Sequence, residues 1–357
     1  MKILFVCDSW NGSSARSLRD ELYTHPDLEM DDIAHDHFAI RGRSLVVRLA
    51  NRILTRWRQK GLSDEIDLKI SKFNPDVLFV CKGPLVDTRV IRKARAKRII
   101  TVNRFPDCSP HAHGASLKQA IGEYDLVIST KAYHPPNWEK IYGYHNRCIC
   151  VPHGYSPNAH QWDTPPRNQD VDLVMAASWR PQYQTLLSAL SQTLDTSNMN
   201  VLIVGPGWKD HRADLPAHWQ FYDGVHGRGY GQVLRRGKIA IAPVHREMTC
   251  NGTSQPGDED TARTYELAAA HCFFLHCRTD YMQTVYSESD EVPMWADAEE
   301  LADKVRFFLP RPEVRQRMAE AAHRRAVPAY SQKQRATQMI DYLREILKNE
   351  PCRNLLT

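Results

Sequence analysis

Short apolar runs alternate with helical segments in two successive series along this 357-residue chain. Residues 2–7 (KILFVC) and 75–82 (PDVLFVCK) are two such runs, and their continuous apolar character is typical of strands that a parallel sheet buries on both faces. Parallel strands need crossover connections, which are usually helices. The sequence therefore predicts an α/β fold with two Rossmann-like domains, each built on a parallel sheet, facing one another across a cleft.

A segment rich in proline, asparagine and glycine, residues 153–170, lies between the two series. This composition is typical of a linker. We expect the following divisions: a first domain over 1–160, a linker over 161–170, a second domain over 171–330, a final helix over 331–350 that packs back toward the first domain, and a tail over 351–357.

The amino-acid composition is typical of a globular protein. Hydrophobic residues make up 42% of the chain, and no apolar run reaches the roughly 18 residues that a transmembrane helix needs. The nine cysteines are scattered, without a CxxC pair. We therefore expect a reduced, cytoplasmic protein without a disulfide framework or a bound metal.

The net charge of +5 comes from the first half of the chain. Residues 1–170 hold 25 Lys/Arg and 19 Asp/Glu, whereas the remainder holds 22 and 23. Residues 41–60 hold seven Arg/Lys and no acid, with apolar residues at helical spacing, which predicts an amphipathic basic helix. Such a helix suits an anionic membrane surface, an anionic acceptor or nucleic acid, or it packs with its arginines toward water.

Three residues at predicted strand ends in the first half are candidates for ligand contacts, because open α/β sheets bind ligands there. Gly12 lies in the loop after the first strand, and Lys82 ends the strand at 75–82. Asp107 lies in the polar loop 103–114 and suits a general base, an acceptor-binding carboxylate or simply a turn. The His111–His113 pair alone is weak support for a metal site.

In the second half, the segment 261–275 (TARTYELAAAHCFFL) predicts a short helix that runs into a buried strand. Arg263 and Glu266 are three residues apart and so share a face near the helix N-terminus, which favours anions. A carboxylate can accept two sugar hydroxyls, while an arginine beside it neutralises phosphate. The alternative is an ordinary salt bridge between the two side chains.

Several segments, in order and over nearly the whole chain, resemble those of B-type-fold glycosyltransferases, and most closely the spore-maturation-protein-like (CgeB-like) branch. The segments are PDVLFVCKG at 75–83, the Asp107 loop, YDLVIST at 124–130, VPHGYSPNAH at 151–160, RTYELAAAHCFFL at 263–275 and DEVPMWADAEELADKVRFFL at 290–309. Phe273 stands where relatives carry glycine.

The resemblance implies that the second domain holds a nucleotide-diphosphate-sugar, with a UDP-sugar favoured. Glu266 would bind the ribose hydroxyls, and Arg180 and Arg263 would face the diphosphate. The donor-binding residues that the resemblance implies are Arg180, Gly205, Gly207, Tyr230, Arg263 and Glu266. Gly12, Lys82 and Asp107 would line the acceptor side in the first domain.

The expected reaction moves the sugar to a hydroxyl of a glycan, lipid-linked or protein acceptor without a metal or other cofactor. Two acids are catalytic candidates. Asp258 lies eight residues before Glu266, where a retaining branch carries glutamate, and retention is favoured. In an inverting alternative, Asp107 would be the general base.

Two other functions remain open. One is a viral-type DNA-modifying glycosyltransferase, suggested by the basic first half and by the cluster at 92–98. The other is a non-catalytic nucleotide-sugar- or glycan-binding protein with the same fold. The favoured location is the cytoplasm, with peripheral attachment at the inner face of a membrane through residues 41–60.

Overall fold

A computed structural model describes residues 1–38, 45–113, 115–250 and 252–348. The chain divides into two compact units. The first comprises Met1–Pro152, Met248–Pro256 and Arg335–Thr357, and the second comprises His153–Glu247 and Gly257–Gln334. Residues 153–160, which we expected to close the first domain, group with the second unit. The expected tail 351–357 lies outside the described residues.

The first unit is built on a six-stranded parallel sheet with the order β2-β1-β3-β4-β5-β6. Its strands are β1 (Lys2–Cys7), β2 (Glu29–Ala34), β3 (Val77–Cys81), β4 (Ile100–Phe105), β5 (Leu126–Ser129) and β6 (Arg147–Cys150). Its helices along the first segment are α1 (Ser14–Tyr23), α2 (Leu45–Ile53), α3 (Thr55–Phe73), α4 (Thr88–Ala96), α5 (Ala115–Ala120) and α6 (His134–Tyr142).

Alternate residues of the central strands enter two separate cores, one on each face of this sheet. Phe5 packs on the same side as Leu18 of α1 and as Met339 of the C-terminal helix. Leu4 packs on the opposite side with Leu62 of α3. Because both faces are covered, β3 is apolar throughout and β1 is apolar after Lys2, as the sequence indicated.

The second unit contains another six-stranded parallel sheet, with the order β14-β13-β10-β7-β8-β9. Its strands are β7 (Val171–Ala176), β8 (Val201–Val204), β9 (Gln220–Tyr222), β10 (Gly237–Ala242), β13 (Phe274–Cys277) and β14 (Met294–Trp295), and a hairpin of β11 (Glu247–Cys250) and β12 (Thr253–Pro256) follows β10. The remaining helices are α7 (Pro157–His160), α8 (Pro181–Thr193), α9 (Arg228–Leu234), α10 (Ala262–Ala269), α11 (Asp280–Val285), α12 (Ala298–Phe308), α13 (Pro312–Ala326) and α14 (Gln332–Lys348).

Each sheet has a point where the strand order reverses direction. In the first unit it lies between β1 and β3, and in the second between β7 and β10. The helices that follow these strands diverge to opposite faces, which leaves a crevice at the carboxyl ends of the strands. The fold therefore predicts a ligand site at the ends of β7 and β10, and another at the ends of β1 and β3.

Among the described helices, none combines the length and apolar character that crossing a bilayer requires.

Candidate functional site

Arg263 links the two strands at the reversal point of the second sheet. Its Nε donates to the carbonyl of Ala176 at the end of β7, at 2.7 Å. Its Nη1 donates to the carbonyl of Pro243, directly after β10, at 2.9 Å. The guanidinium thus satisfies two strand-end carbonyls that have no further strand to pair with. Arg263 has a structural role that the sequence did not indicate, and its contact with phosphate stays a prediction.

The helix that carries Arg263 and Glu266 is held by a capping network. The Thr261 side chain accepts from the backbone N–H of Thr264, and the Thr264 hydroxyl accepts from the N–H of Thr261. Thr264 also lies 2.8 Å from Nε2 of His276, whose Nδ1 lies 2.7 Å from the Cys277 carbonyl. Because a carbonyl only accepts, Nδ1 carries the proton and Nε2 accepts from the Thr264 hydroxyl. Burial lowers the pKa of His276 to about 4, so the imidazole remains neutral.

Glu266 lies in a shielded position without a cationic partner. Its side chain is 15% exposed, and although both residues are described, it forms no ion pair with Arg263. The nearest basic atom is Nδ1 of His160, at 3.7 Å. That nitrogen accepts a hydrogen bond from the backbone N–H of Ser156, so it carries no proton to share with the carboxylate. The ordinary Arg263–Glu266 salt bridge is therefore not formed.

Tyr230 lies beside Glu266 and Arg263. Burial raises the pKa of its hydroxyl, the charge of Glu266 raises it further, and the charge of Arg263 opposes both. Its ring meets the His160 ring edge-on, with 5.7 Å between centroids. Tyr230, which the resemblance implied, is thus brought next to Arg263 and Glu266 of α10, and His160 is an addition that the sequence reasoning missed.

The segment that carries His160 is fixed against α9. Arg228 and Arg235 both stack on the Trp162 ring, at 3.8 and 4.4 Å from its centroid. A Cβ at Gly231 would lie 3.0 Å from the carbonyl oxygen of Ala159, which is tighter than most Cβ contacts, so this close approach favours glycine. Residues 157–162, expected to belong to a domain end and a linker, instead form part of the wall around Glu266.

Two turns at strand ends hold each other in place next to this site. The N–H of Trp179, after β7, donates to the carbonyl of Pro206, after β8, at 2.9 Å. A Cβ on Gly205 would lie 2.0 Å from the carbonyl oxygen of Ala177, and the backbone φ of Gly207 is +92°. Both predicted glycines are therefore needed for the turn itself. Trp208 is fully buried and donates to Ala177, which makes it a core residue.

Arg180, Asp258 and His245 form a polar group at the end of β10. Arg180 is exposed at the N-cap of α8, and its guanidinium makes no hydrogen bond or ion pair within the described residues. Burial lowers the pKa of His245, Arg180 lowers it further and Asp258 opposes them. Nε2 of His245 is buried with no hydrogen-bond partner in the described part of the chain. His245 was not predicted, because a histidine after a strand carries no signal by itself.

In the first unit, Lys82 and Asp107 are in direct contact. Lys82 Nζ lies 2.6 Å from Oδ2 of Asp107, and Nε2 of His113 lies 2.9 Å from the same oxygen. Burial would raise the pKa of Asp107, but the hydrogen bond from His113 and the charge of Lys82 bring it well below its usual range. Such a carboxylate is ionised but weakly basic, so this arrangement suits orienting a hydroxyl better than removing its proton.

Backbone conformation also marks this strand end. Lys82 has φ of +58°, which non-glycine residues rarely adopt and which is often found at functional sites. Gly12 has φ of +101° and precedes Ser13, the N-cap of α1. Within the described ranges, no three His, Cys, Asp or Glu side chains are grouped as metal ligands.

The helix α10 ends in a residue with a left-handed backbone conformation. The left-handed residue that ends α10 is His271, with φ of +55°, whereas Phe273 is a core residue packed on Phe308. A left-handed residue after a helix is the usual position of a glycine.

Comparison with known proteins adds two findings. Residues 180–341 match the model of the family described as "Glycosyl transferase-like", and this range contains every predicted donor-binding residue and Asp258. No protein among the curated sequences matches the chain.

Solved structures with this fold cover almost the whole chain. Sucrose-phosphate synthase from Thermosynechococcus elongatus is 12% identical with a TM-score of 0.70, covering 98% of this chain and 99% of that one. HepE from Anabaena, in complex with UDP and glucose, is 13% identical with a TM-score of 0.60, covering 97% and 100%. A protein described as a candidate UDP-N-acetylglucosamine 2-epimerase from Listeria monocytogenes is 10% identical with a TM-score of 0.58, covering 97% and 96%.

The two parallel sheets and these structural neighbours confirm the predicted B-type fold. This fold also occurs in the epimerase-like protein, so it does not define the activity by itself. The family match at residues 180–341 indicates the activity. The protein is a glycosyltransferase of the B-type fold. More narrowly, its residues 180–341 form a glycosyl transferase-like domain.

Proposed function

We propose that the second unit binds a nucleotide-diphosphate-sugar and that the enzyme transfers this sugar to a hydroxyl group of a glycan, lipid-linked or protein acceptor. The observation that carries the proposal is the state of Glu266. A carboxylate that is largely shielded from water and has no cationic partner favours hydroxyl donors, and the Tyr230 hydroxyl beside it can fill only one of its acceptor positions. The two neighbouring hydroxyls of a ribose meet that need, because a carboxylate offers about four acceptor positions.

The diphosphate would lie between Arg180 and the N-terminal ends of α8 and α10. Arg180 is available because it has no partner within the described residues. Helix N-termini add partial positive charge and unpaired N–H groups. These groups can neutralise the departing nucleoside diphosphate without a metal ion, which is the mechanism we favour. Lost activity after EDTA treatment that a divalent ion restores would contradict it.

The sugar itself would lie near Asp258 and His245. Asp258 is an acid at the end of β10, and the neutral imidazole of His245 has an unused nitrogen. This arrangement favours Asp258 as the acid that contacts the transferred sugar and supports retention of configuration. In the inverting alternative, Asp107 would act on the acceptor hydroxyl, which its lowered pKa disfavours.

A uridine nucleotide is the favoured donor, since HepE was solved with UDP and with UDP-glucose. The likeness to the spore-maturation-protein-like branch, with a cytoplasmic location, belongs to the same proposal. The DNA-modifying alternative loses support, because Arg92, Lys93 and Arg95 of the basic cluster are paired with Glu123, Asp67 and Asp125.

The test is a calorimetric titration of UDP, GDP, ADP and UDP-glucose into the native protein and the Glu266→Ala variant. Hydrogen bonds to a charged group contribute about 1.5–3 kcal/mol, so we expect a roughly 10- to 150-fold weaker Kd. Glu299→Ala, an exposed acid on α12, is the matched control and should bind normally.

A 2′,3′-dideoxy nucleotide makes the test specific to ribose. If Glu266 accepts from these hydroxyls, the native protein loses affinity for the analogue, while Glu266→Ala binds both ligands equally. Additive losses would assign Glu266 to another part of the donor. Failure to bind any nucleotide would favour the non-catalytic alternative.

A further inference from the structure

The helices α2 and α3 present a compact group of exposed apolar side chains. Five large hydrophobic residues within thirteen positions are between 57% and 75% exposed: Leu45, Val46, Leu49, Ile53 and Trp57. Single exposed hydrophobic residues are normal on protein surfaces, but a contiguous group of this size marks an interaction surface. We call these five residues the apolar face.

The five residues lie on one side of a nearly continuous helix. Backbone hydrogen bonds continue through the junction, from the N–H of Leu54 to Ala50 and from the N–H of Arg58 to Leu54. At 3.6 residues per turn the apolar face spans an arc of about 120° and a length of about 18 Å. This is the arrangement of a helix that lies along a surface and presents one side to it.

The core of the first unit does not use the apolar face. Later residues of α3, Leu62, Ile66 and Ile70, are the ones buried in the core of this unit. Arg58 Nε also donates to the carbonyl of Phe38, at 2.6 Å. The helix is therefore anchored through other residues, and folding of the described residues leaves the apolar face uncovered.

The described cations beside this face, Arg56 and Lys60, are not neutralised by acids of the described residues. The segment 41–60 holds seven Arg/Lys and no acid, although residues 41–44 lie outside the described part. Arg56 and Lys60 are exposed, and neither is paired with an acid among the described residues. By contrast, Arg92 of α4 is bonded to Glu123.

These features select one occupant. Nucleic acid would satisfy the cations but leave the apolar side chains in water. A second copy of the chain would cover the apolar side chains but bring the same cations against one another, which is unfavourable. An anionic lipid surface satisfies both, because acyl chains receive the apolar face and headgroups attract the cations.

We propose that the apolar face docks the enzyme on an anionic bilayer, with α2 and the first turn of α3 lying in the headgroup region. The proposal goes beyond donor binding and is independent of it. It also selects a lipid-linked acceptor among the three acceptor classes, because docking would bring the first unit to membrane-bound substrates.

Vesicle flotation of the full chain tests the proposal, with phosphatidylglycerol-containing vesicles compared with pure phosphatidylcholine. The native protein should float with the anionic vesicles. The variant Leu49→Gln/Ile53→Gln/Trp57→Gln should partition at least roughly tenfold more weakly. The matched control is Leu68→Gln, an exposed leucine on α3 outside the apolar face, which should float like the native protein.

Three results would overturn the proposal: equal recovery on neutral and anionic vesicles, unchanged flotation of the triple variant, or an oligomer that the triple variant converts to a monomer. The last would assign the apolar face to a second copy. An unchanged melting temperature shows that the variant is folded. Nucleotide titration without vesicles measures the donor site separately, so either proposal can fail alone.

Discussion

Replacement of Arg263 by lysine should destabilise the second unit although the charge is kept. The guanidinium donates to two strand-end carbonyls, of Ala176 and Pro243. A lysine can reach only one of them, so one hydrogen bond from a charged group is lost, which costs about 1.5–3 kcal/mol. For a unit of this size, each kcal/mol lowers the melting temperature by about 2–4 °C, so the expected decrease is roughly 3–12 °C.

Urea unfolding and thermal unfolding of the purified variant measure this effect directly. The matched control is Arg180→Lys, because Arg180 is exposed and makes no hydrogen bond within the described residues. That control should keep its stability within about 0.5 kcal/mol and lose affinity for nucleoside diphosphates. If Arg263→Lys proves as stable as the native protein, the link between β7 and β10 does not stabilise the fold.

Two further predictions concern acid stability and a turn. Three histidines, His134, His271 and His276, have pKa values lowered to about 4, mainly because they are buried. As pH falls from 6.5 toward 4, these histidines are protonated in the unfolded chain before they are protonated in the folded protein. The free energy of unfolding should therefore decrease, by at most about 3 kcal/mol per histidine. Equal urea midpoints at pH 7.5 and 5 would disprove this. Gly205→Ala should lower the free energy of unfolding by roughly 1–3 kcal/mol more than Gly252→Ala, because only a Cβ at position 205 would clash with a carbonyl oxygen. Equal melting temperatures of the two variants would contradict this clash.

The prediction of two parallel sheets is confirmed because the central strands carry a strong signal. A strand buried on both faces is largely apolar, as β3 is throughout and β1 is after Lys2. The edge strands have only one neighbour and escape this requirement. β2 (EMDDIA) is largely polar, β9 has three residues and β14 has two, so the sequence pattern did not predict them.

For the candidate site, the sequence predicted the helix that carries Arg263 and Glu266 but not the contacts of these side chains. Glu266 was predicted from its position on a helix that leads into a buried strand, and α10 has that form. The partner of Arg263 was not predictable, because backbone carbonyls carry no sequence signal. His160 and His245 were missed because neither histidine carries a signal of its own in the sequence, and only the fold shows which groups each one faces.

The division of the chain into units has a practical consequence. The backbone passes from one unit to the other four times, after residues 152, 247, 256 and 334. No single cut therefore yields either unit whole, and a fragment that ends near residue 152 lacks the helix residues Met339 and Ile340 that complete its core. Exchange of the first unit between relatives must accordingly transfer three segments together: the N-terminal sheet, the hairpin residues 248–256 and the C-terminal helix from Arg335 onward.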